Sequence, residues 1–424
     1  MKITILTYGS RGDVQPFLPL SIRLMEEGHS VKLAAPLRFK NFVEEHGIYF
    51  VALAGDPEDL SRRLNNAGHN FAKLLRELTN HAIEIGADVW RQTEAACEDA
   101  DLILHTFTHA VGAHTLACEK NIPDIHIQIF PMFTPTGDYP NVTLPGCRSR
   151  SLNRLTHKLS AKVTWWTSQM GFERVRRRAG LSKRKLYWPF DDDPLRARTP
   201  ILCAWSPSLL PASADWPPRV HITGYYFFPE DHSYQPPVEL LSFLEGGDAP
   251  VCITFGSMVN REKERIDRIV RESLKKTANR GLILSGWGGV KSLSSDDVLY
   301  LESAPHAWLL PRCKMLVHHG GAGTTAAGLR AGIPNIVIPF MADQPFWGRR
   351  VHAVGVAPRP IPVRDLSVEN LTRAMAEADG AEIRKRAQAV GQRICSEDGI
   401  GETIKYIEKY SNHFHRDDLR CVNR

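Results

Sequence analysis

His318-His319-Gly320-Gly321-Ala322-Gly323-Thr324-Thr325 stands directly after the apolar run Met315–Val317 and directly before the helical pattern Ala326–Arg330. A glycine-rich turn that leaves a strand and opens a helix presents unpaired backbone N–H groups, and the positive end of the helix dipole, to an anion. Thr324 adds a hydroxyl donor and His319 a ring donor, while Gly321 and Gly323 keep the turn bare for a phosphate. A tight turn with glycines chosen for packing is the plainer alternative, but it needs neither the histidines nor the threonines. The run is not Gly-Lys-Ser/Thr and not GxGxxG, so triphosphate hydrolysis and nicotinamide binding lose ground.

The surrounding rhythm sets the fold class. Val251–Phe255, Gly281–Leu284, Val298–Leu301, Met315–His318 and Asn335–Pro339 read as strands with helices between them. The first part of the chain repeats the pattern, with strands at Ile3–Leu6, Val31–Ala35, Tyr49–Leu53, Leu102–His105, Ile125–Phe130 and Ile201–Ala204, and a long helical region at about Phe71–Cys97. Strand and helix alternating in this way means parallel sheets covered on both faces, an α/β architecture of two Rossmann-like, doubly wound domains. Prolines crowd the stretch from Pro207 to Pro237, where helices and ladders should break. The expected division is a domain over 1–228, a proline-rich linker over 229–237 and a second domain over 238–424, whose last helix packs back on the first.

At 424 residues the chain is long enough for two large domains, and with 43% hydrophobic and 24% charged residues it is ordinary globular material. The formal net charge is +6, yet Arg148–Lys185 alone holds twelve Lys and Arg against Glu173, so the remainder is slightly acidic. One basic segment of this kind does not make a nucleic-acid-binding surface. Peripheral contact of 148–185, which includes Trp165-Trp166, with an anionic membrane is one reading, and a solvated helix face with its tryptophans in a pocket wall is the plainer one. The eight cysteines are scattered without a CxxC pair, so reduced thiols in a cytoplasmic protein are expected, and neither a metal site nor a disulfide framework. Met1–Tyr8 is too short an apolar run for a signal peptide, and no apolar run is long enough to span a bilayer.

Further candidate residues follow other strands at their carboxyl ends, where ligands bind in open α/β sheets. In Phe255-Gly256-Ser257 the Ser257 hydroxyl can donate to the same phosphate, with an ordinary Gly-Ser turn as the equal alternative. Asp343 and Gln344, after Asn335–Ile338, pair an acceptor with a donor for vicinal sugar hydroxyls, with helix capping by Asp343 as the alternative. In the first loop, Gly9-Ser10-Arg11-Gly12-Asp13-Val14-Gln15-Pro16, Asp13 reads equally as a helix cap and as a catalytic base.

Gly9–Pro16, His318–Thr325 and Asp343-Gln344-Pro345-Phe346-Trp347-Gly348 together resemble glycosyltransferase family 1 with the GT-B fold. The pattern is most similar to sterol 3-beta-glucosyltransferases and to bacterial enzymes that glycosylate antibiotics. Gly286-Trp287-Gly288-Gly289, Pro305–Pro311 and Phe133–Gly137 add to the resemblance, which covers nearly the whole chain. It implies two domains facing a central cleft, and metal-independent, inverting transfer of a hexose from a UDP- or dTDP-sugar, UDP-glucose by default. No cofactor is expected beyond that co-substrate. Many plant members use a His in the first loop with an Asp near the fourth strand; here the loop has no His and Thr106 stands about where that Asp would lie. Asp in the Gly-Ser-Arg-Gly-Asp loop matches the sterol and antibiotic branches, so the base role goes to Asp13.

The other roles follow from the same resemblance. Ser257, His319, Gly321, Gly323 and Thr324 would hold the diphosphate, Asp343 and Gln344 the sugar, and Trp287, Pro305 and His306 the nucleobase. His105, His109, Phe130, Met132 and Phe133 would line the pocket of a hydrophobic hydroxylated acceptor such as a sterol. A polyketide or macrolide acceptor, or a sugar-nucleotide epimerase, is the alternative.

Overall fold

The structure is a computed structural model, and it describes residues 1–60, 63, 71–142, 144, 149–180, 182–190, 199–229, 234–255, 263–284 and 295–414. The chain divides into two compact units. One holds Met1–Trp205, Ala212–Phe227 and Asp398–Arg424; the other holds Ser206–Pro211 and Phe228–Glu397.

The first unit is built on a seven-stranded parallel sheet. Its strands are β1 (Lys2–Leu6), β2 (Ser30–Pro36), β3 (Tyr49–Leu53), β4 (Leu102–His105), β5 (Asp124–Gln128), β6 (Ile201–Cys203) and β7 (Val220–Ile222), in the order β3-β2-β1-β4-β5-β6-β7. The register runs straight, with Ile3 opposite Val31 on one side and opposite Leu102 on the other. Because helices cover both faces, β1 and β4 are apolar nearly throughout, and Ile3, Ile5, Leu6, Leu102, Ile103 and Leu104 are all buried. Val220–Ile222 departs from the proline-based expectation. It lies at the edge of the sheet, and Pro217 and Pro218 precede it, so no ladder bond is lost to a proline. The helix Gly399–His413 also belongs to this unit: Thr403 Oγ1 donates to Tyr226 Oη at 2.7 Å, and the Tyr406 ring lies 4.4 Å from that of His221.

The second unit carries β8 (Val251–Thr254), β9 (Gly281–Leu284), β10 (Val298–Leu301), β11 (Met315–His318) and β12 (Asn335–Val337), parallel and ordered β10-β9-β8-β11-β12. Alternate residues feed opposite faces. Val251, Ile253, Met315 and Val317 pack with Ile266, Ile269 and Val270 of one helix and Leu371 and Met375 of another, whereas Cys252 and Leu316 join Leu240, Phe243, Leu309 and Leu310. Both sheets therefore share one topology, in which the chain steps outward in one direction and then reverses. The reversal falls between β1 and β4 in the first unit and between β8 and β11 in the second, the positions where such sheets open a crevice at their carboxyl ends.

Candidate active site residues

In the second unit, β11 ends at His318, whose side chain is fully buried and whose Nδ1 accepts from the Gly320 N–H at 3.1 Å. Gly320 has φ +89, and a Cβ there would strike Val337, so this turn requires glycine. The helix Ala322–Arg330 begins two residues later, after Gly321. No side chain caps its N-terminus and no acid stands in its first turn, which leaves its first N–H groups and its positive end unneutralised. The His319 ring lies over that terminus: a Cβ on Gly321 would meet Nε2 at 2.5 Å. Burial pushes the His319 imidazole down to about 4; a bond to the Thr254 backbone opposes this, and the charge of His306 adds to it. At neutral pH it is therefore an uncharged ring that can still donate one N–H. Thr324 is half-buried, Gly323 is exposed with open space above it, and Thr325 is occupied internally, its Oγ1 donating to Gly321 O at 2.9 Å.

The loop after β12 meets the same turn, since a Cβ on Gly320 would also approach the Gln344 carbonyl oxygen at 3.1 Å. Ala342 in this loop has φ +56, a left-handed conformation that a residue with a Cβ seldom adopts. Asp343 stands at the N-cap of Gln344–Ala353 but forms no cap bond; its Oδ2 accepts from the Trp347 indole at 2.9 Å. Gln344 is buried, and its Oε1 accepts from the N–H groups of Phe340 at 2.8 Å and Met341 at 3.1 Å. Its carbonyl thus shapes the loop, and only its amide nitrogen is left for a ligand. Pro305 caps the short helix His306–Leu309, and both Pro305 and His306 are partly exposed. Ser257 and Trp287 lie outside the described residues.

In the first unit the loops after β1, β4 and β5 come together. Ser10 donates to Asp13 Oδ2 through its backbone N–H at 2.7 Å and its hydroxyl at 2.9 Å. Asp13 Oδ1 has no hydrogen-bond partner among the described residues. Gly9, at φ +148, lies so close beneath the carboxylate that a Cβ there would collide with Oδ2. Burial raises the Asp13 carboxyl above its ordinary value, and the two bonds from Ser10 offset this only in part. Thr108 Oγ1 donates to Tyr8 O at 3.3 Å, and the His109 ring lies 6.4 Å from that of Tyr8. The His109 Nε2 is buried without a hydrogen-bond partner, and burial, followed by the charge of His105, lowers its ring to about 4.

His105 is placed differently. It is fully enclosed, with Nε2 at 2.9 Å from Asp124 Oδ2 and Nδ1 at 3.2 Å from His126 Nδ1, so it is part of the interior and not of a pocket wall. His114 and Thr199 complete the set around Asp124, both at 3.1 Å from Oδ2. Burial alone would raise the Asp124 carboxyl, but the charge of His114 and the bonds from His105 and His114 outweigh it and hold the group below the usual carboxylate range. Gln128 Oε1 accepts from the N–H groups of Met132 and Phe133 and so fixes the loop after β5. There Phe133 stacks on Phe190 at 4.1 Å, meets Trp188 edge-on at 5.7 Å and touches Phe107, which in turn reaches Phe130. Sequence reasoning missed Phe107, Trp188 and Phe190. The only available signal was Phe107 after one strand and the pair Trp188 and Phe190 in a separate segment, and nothing in their spacing linked the two.

Two parallel-sheet α/β units of this kind are also found in known proteins. Residues 3–132 match the glycosyltransferase family 28 N-terminal domain, and residues 289–408 match the erythromycin biosynthesis protein CIII-like C-terminal domain. A sterol 3-beta-glucosyltransferase of Arabidopsis thaliana is 34% identical over 97% of this chain and 66% of its own length. O-mycaminosyltylonolide 6-deoxyallosyltransferase of Streptomyces fradiae is 34% identical over 97% of this chain and 98% of its own. A sterol 3-beta-glucosyltransferase of Neosartorya fischeri is also 34% identical, but the chain spans only 29% of that protein. Among solved structures, the glycosyltransferase of kitacinnamycin superposes with a TM-score of 0.71 at 19% identity, covering 96% of this chain and 98% of that one. SsfS6 of Streptomyces sp. SF2575, solved with thymidine diphosphate, gives 0.60 at 19% identity over 96% and 99%. The chain belongs to the GT-B glycosyltransferase family that contains the sterol 3-beta-glucosyltransferases and the antibiotic glycosyltransferases. No helix among the described residues is long and apolar enough to cross a membrane.

Proposed function

We propose that this glycosyltransferase moves a hexose, glucose by preference, from a nucleoside-diphosphate sugar to a hydroxyl of a hydrophobic acceptor of sterol type, inverting the sugar C1. The observation that carries the reading is the split carboxylate of Asp13. One oxygen is anchored by Ser10 and the other is open, the arrangement a general base needs to be both positioned and reactive. Burial raises its pKa, which makes it a stronger base than an ordinary aspartate. Asp13 Oδ1 takes the acceptor proton as the acceptor oxygen bonds to C1, and the bond from C1 to the diphosphate oxygen breaks on the opposite face. The helix terminus Ala322–Arg330, with the His319 N–H, would receive the diphosphate charge as it develops. Asp343 and the amide nitrogen of Gln344 would contact sugar hydroxyls.

The aromatic group Phe107, Phe130 and Phe133 suits a flat, apolar acceptor, and His109 Nε2 supplies a polar group beside it. The sterol enzymes among the relatives support this class, and the expected donor is UDP-glucose. A second reading has a specific observation in its favour: the chain matches the full length of the Streptomyces fradiae enzyme, which supports a macrolide-type acceptor with a dTDP-sugar. Mass spectrometry of products from UDP- and dTDP-sugars against pooled sterols, macrolactones and polyphenols separates the two readings. A glycosylated sterol formed from UDP-glucose, with the β-anomer seen by NMR, supports the first; a macrolactone product formed from dTDP-sugars alone supports the second.

A further inference from the structure

Arg150–Ala179 forms a single thirty-residue helix in the first unit, capped by Ser149 at its start and by Gly180, at φ +66, at its end. One face is pinned to the unit. Asn153 Nδ2 donates to Gly137 O at 2.9 Å, His157 Nε2 lies 3.1 Å from Tyr139 O, Phe172 meets Trp90 edge-on at 5.1 Å, and Val175 is buried. The opposite face is unusual for a globular surface. Leu152, Leu155, Leu159, Val163 and Trp166 are each between 49% and 59% exposed. Their spacing of three, four, four and three residues puts them within an arc of about 80°, as a stripe about 21 Å long. A contiguous apolar strip of this kind marks an interaction surface.

The charges around the strip identify its partner. Lys158 and Lys162 run along one side of it, and Arg174 and Arg178 follow at its end. All four are exposed and form no ion pair among the described residues. Arg176 and Arg177 are different, being bound to Glu173, the only acid of the helix. The two tryptophans also part company: Trp165 turns inward to Trp188 at 5.7 Å, and Trp166 stays out. A second copy of the chain docked on this strip would bring unpaired cations against unpaired cations with almost no acid to offset them. An anionic surface is complementary instead. Aliphatic side chains would enter the acyl boundary, Trp166 would sit at headgroup depth and the flanking lysines would extend to lipid phosphates.

We propose that the outward face of Arg150–Ala179 is a docking surface for an anionic lipid bilayer, on which the helix lies in the plane of the membrane. This assignment is independent of which donor or acceptor the enzyme uses. Co-sedimentation of the full chain tests it, with vesicles of phosphatidylcholine alone and of phosphatidylcholine mixed with phosphatidylserine. Binding to the mixed vesicles at low salt, release at high salt and weak binding to the neutral vesicles are expected. Lys158→Glu, Lys162→Glu and Arg174→Glu together should lower partitioning at least about 100-fold, from roughly 1 kcal/mol for each charge near the surface. Leu155→Ser, Leu159→Ser and Val163→Ser together should also abolish binding. All six side chains point outward, so both variants should melt as the parent does, and a melting curve checks this. Binding that is absent at low salt, equal for the two vesicle types, or unchanged in either variant overturns the proposal. So does a dimer in sedimentation velocity that the serine variant dissolves, which would assign the strip to a second copy. Either result leaves the transfer chemistry, assayed on a soluble acceptor, untouched.

Discussion

Asp13→Asn separates catalysis from folding in this enzyme. The asparagine Oδ1 can take the place of Asp13 Oδ2 and keep both bonds from Ser10, at 2.7 and 2.9 Å, while its NH2 occupies the open side. On the proposed mechanism, what disappears is the lone pair that takes the acceptor proton. Loss of a positioned general base costs at least about 100-fold in rate, or roughly 2.7 kcal/mol in barrier. Stability should move the other way. The folded-state pKa of Asp13 is raised, so the native state holds its proton more tightly than the unfolded chain does. That group's contribution is fully present below its ordinary pKa of 3.8 and is lost as pH rises through the folded value. Above the folded value the group no longer contributes, so asparagine should leave the melting temperature equal or higher. Initial rates of product formation at saturating donor, with donor affinity by calorimetry and melting by differential scanning fluorimetry, measure all three quantities. The acid limb of the rate–pH profile, set by Asp13 in the parent, should vanish in the variant. Near-normal turnover would refute the reasoning and move the base to His109.

His319→Ala should weaken binding of UDP and of UDP-glucose alike, because it removes a donor at the helix terminus, whereas Asp343→Asn should affect only the sugar nucleotide. Asparagine can keep an oxygen for the Trp347 indole, so equal losses for both ligands in calorimetry would make Asp343 structural. Gln344→Ala strands the N–H groups of Phe340 and Met341 and should cost about 1–3 kcal/mol in urea unfolding, while Gln344→Glu, which retains the acceptor, should restore most of it. Stability should also fall as pH is lowered from 6.5 toward 4. His109 and His319 are held neutral in the native state with pKa values near 4, so the unfolded chain takes up protons first. The stability they confer is complete above 6.5 and lost through that window. The enclosed His109 alone accounts for as much as about 3 kcal/mol, and His109→Gln should flatten the urea midpoint against pH.

The fold was legible because both sheets are buried on two faces, which forces near-continuous apolar strands that stand out against amphipathic helices. Reading failed where tertiary context overrode local pattern. Pro217 and Pro218 pointed to broken structure, yet Val220–Ile222 is an edge strand that begins after them. The strand expected at Ile125–Phe130 runs over Asp124–Gln128, and it can begin at an acid because His105, His114 and Thr199 satisfy the Asp124 carboxylate within the interior. The helix Arg150–Ala179 gave no ordinary amphipathic signal, because its inward positions include Asn153 and His157 and its outward positions are leucines. At the candidate site, motif positions gave the glycine turn and Asp13. The partners that orient them, Ser10 for Asp13 and Trp347 for Asp343, emerge only from geometry.

The return of Gly399–His413 to the first unit bears on how the chain is made. Residues 1–227 leave the ribosome early, and they carry all seven strands of the first sheet. Thr403 and Tyr406, which close over Tyr226 and His221, are synthesised only after the whole second unit. The part begun first is thus finished last, and its surface around Tyr226 and His221 stays uncovered for about 10–35 seconds at ordinary translation rates of roughly 5–20 residues per second. A nascent chain stalled before residue 399 should be more open to protease there than the released protein. Removing Gly399–His413 should destabilise the first unit.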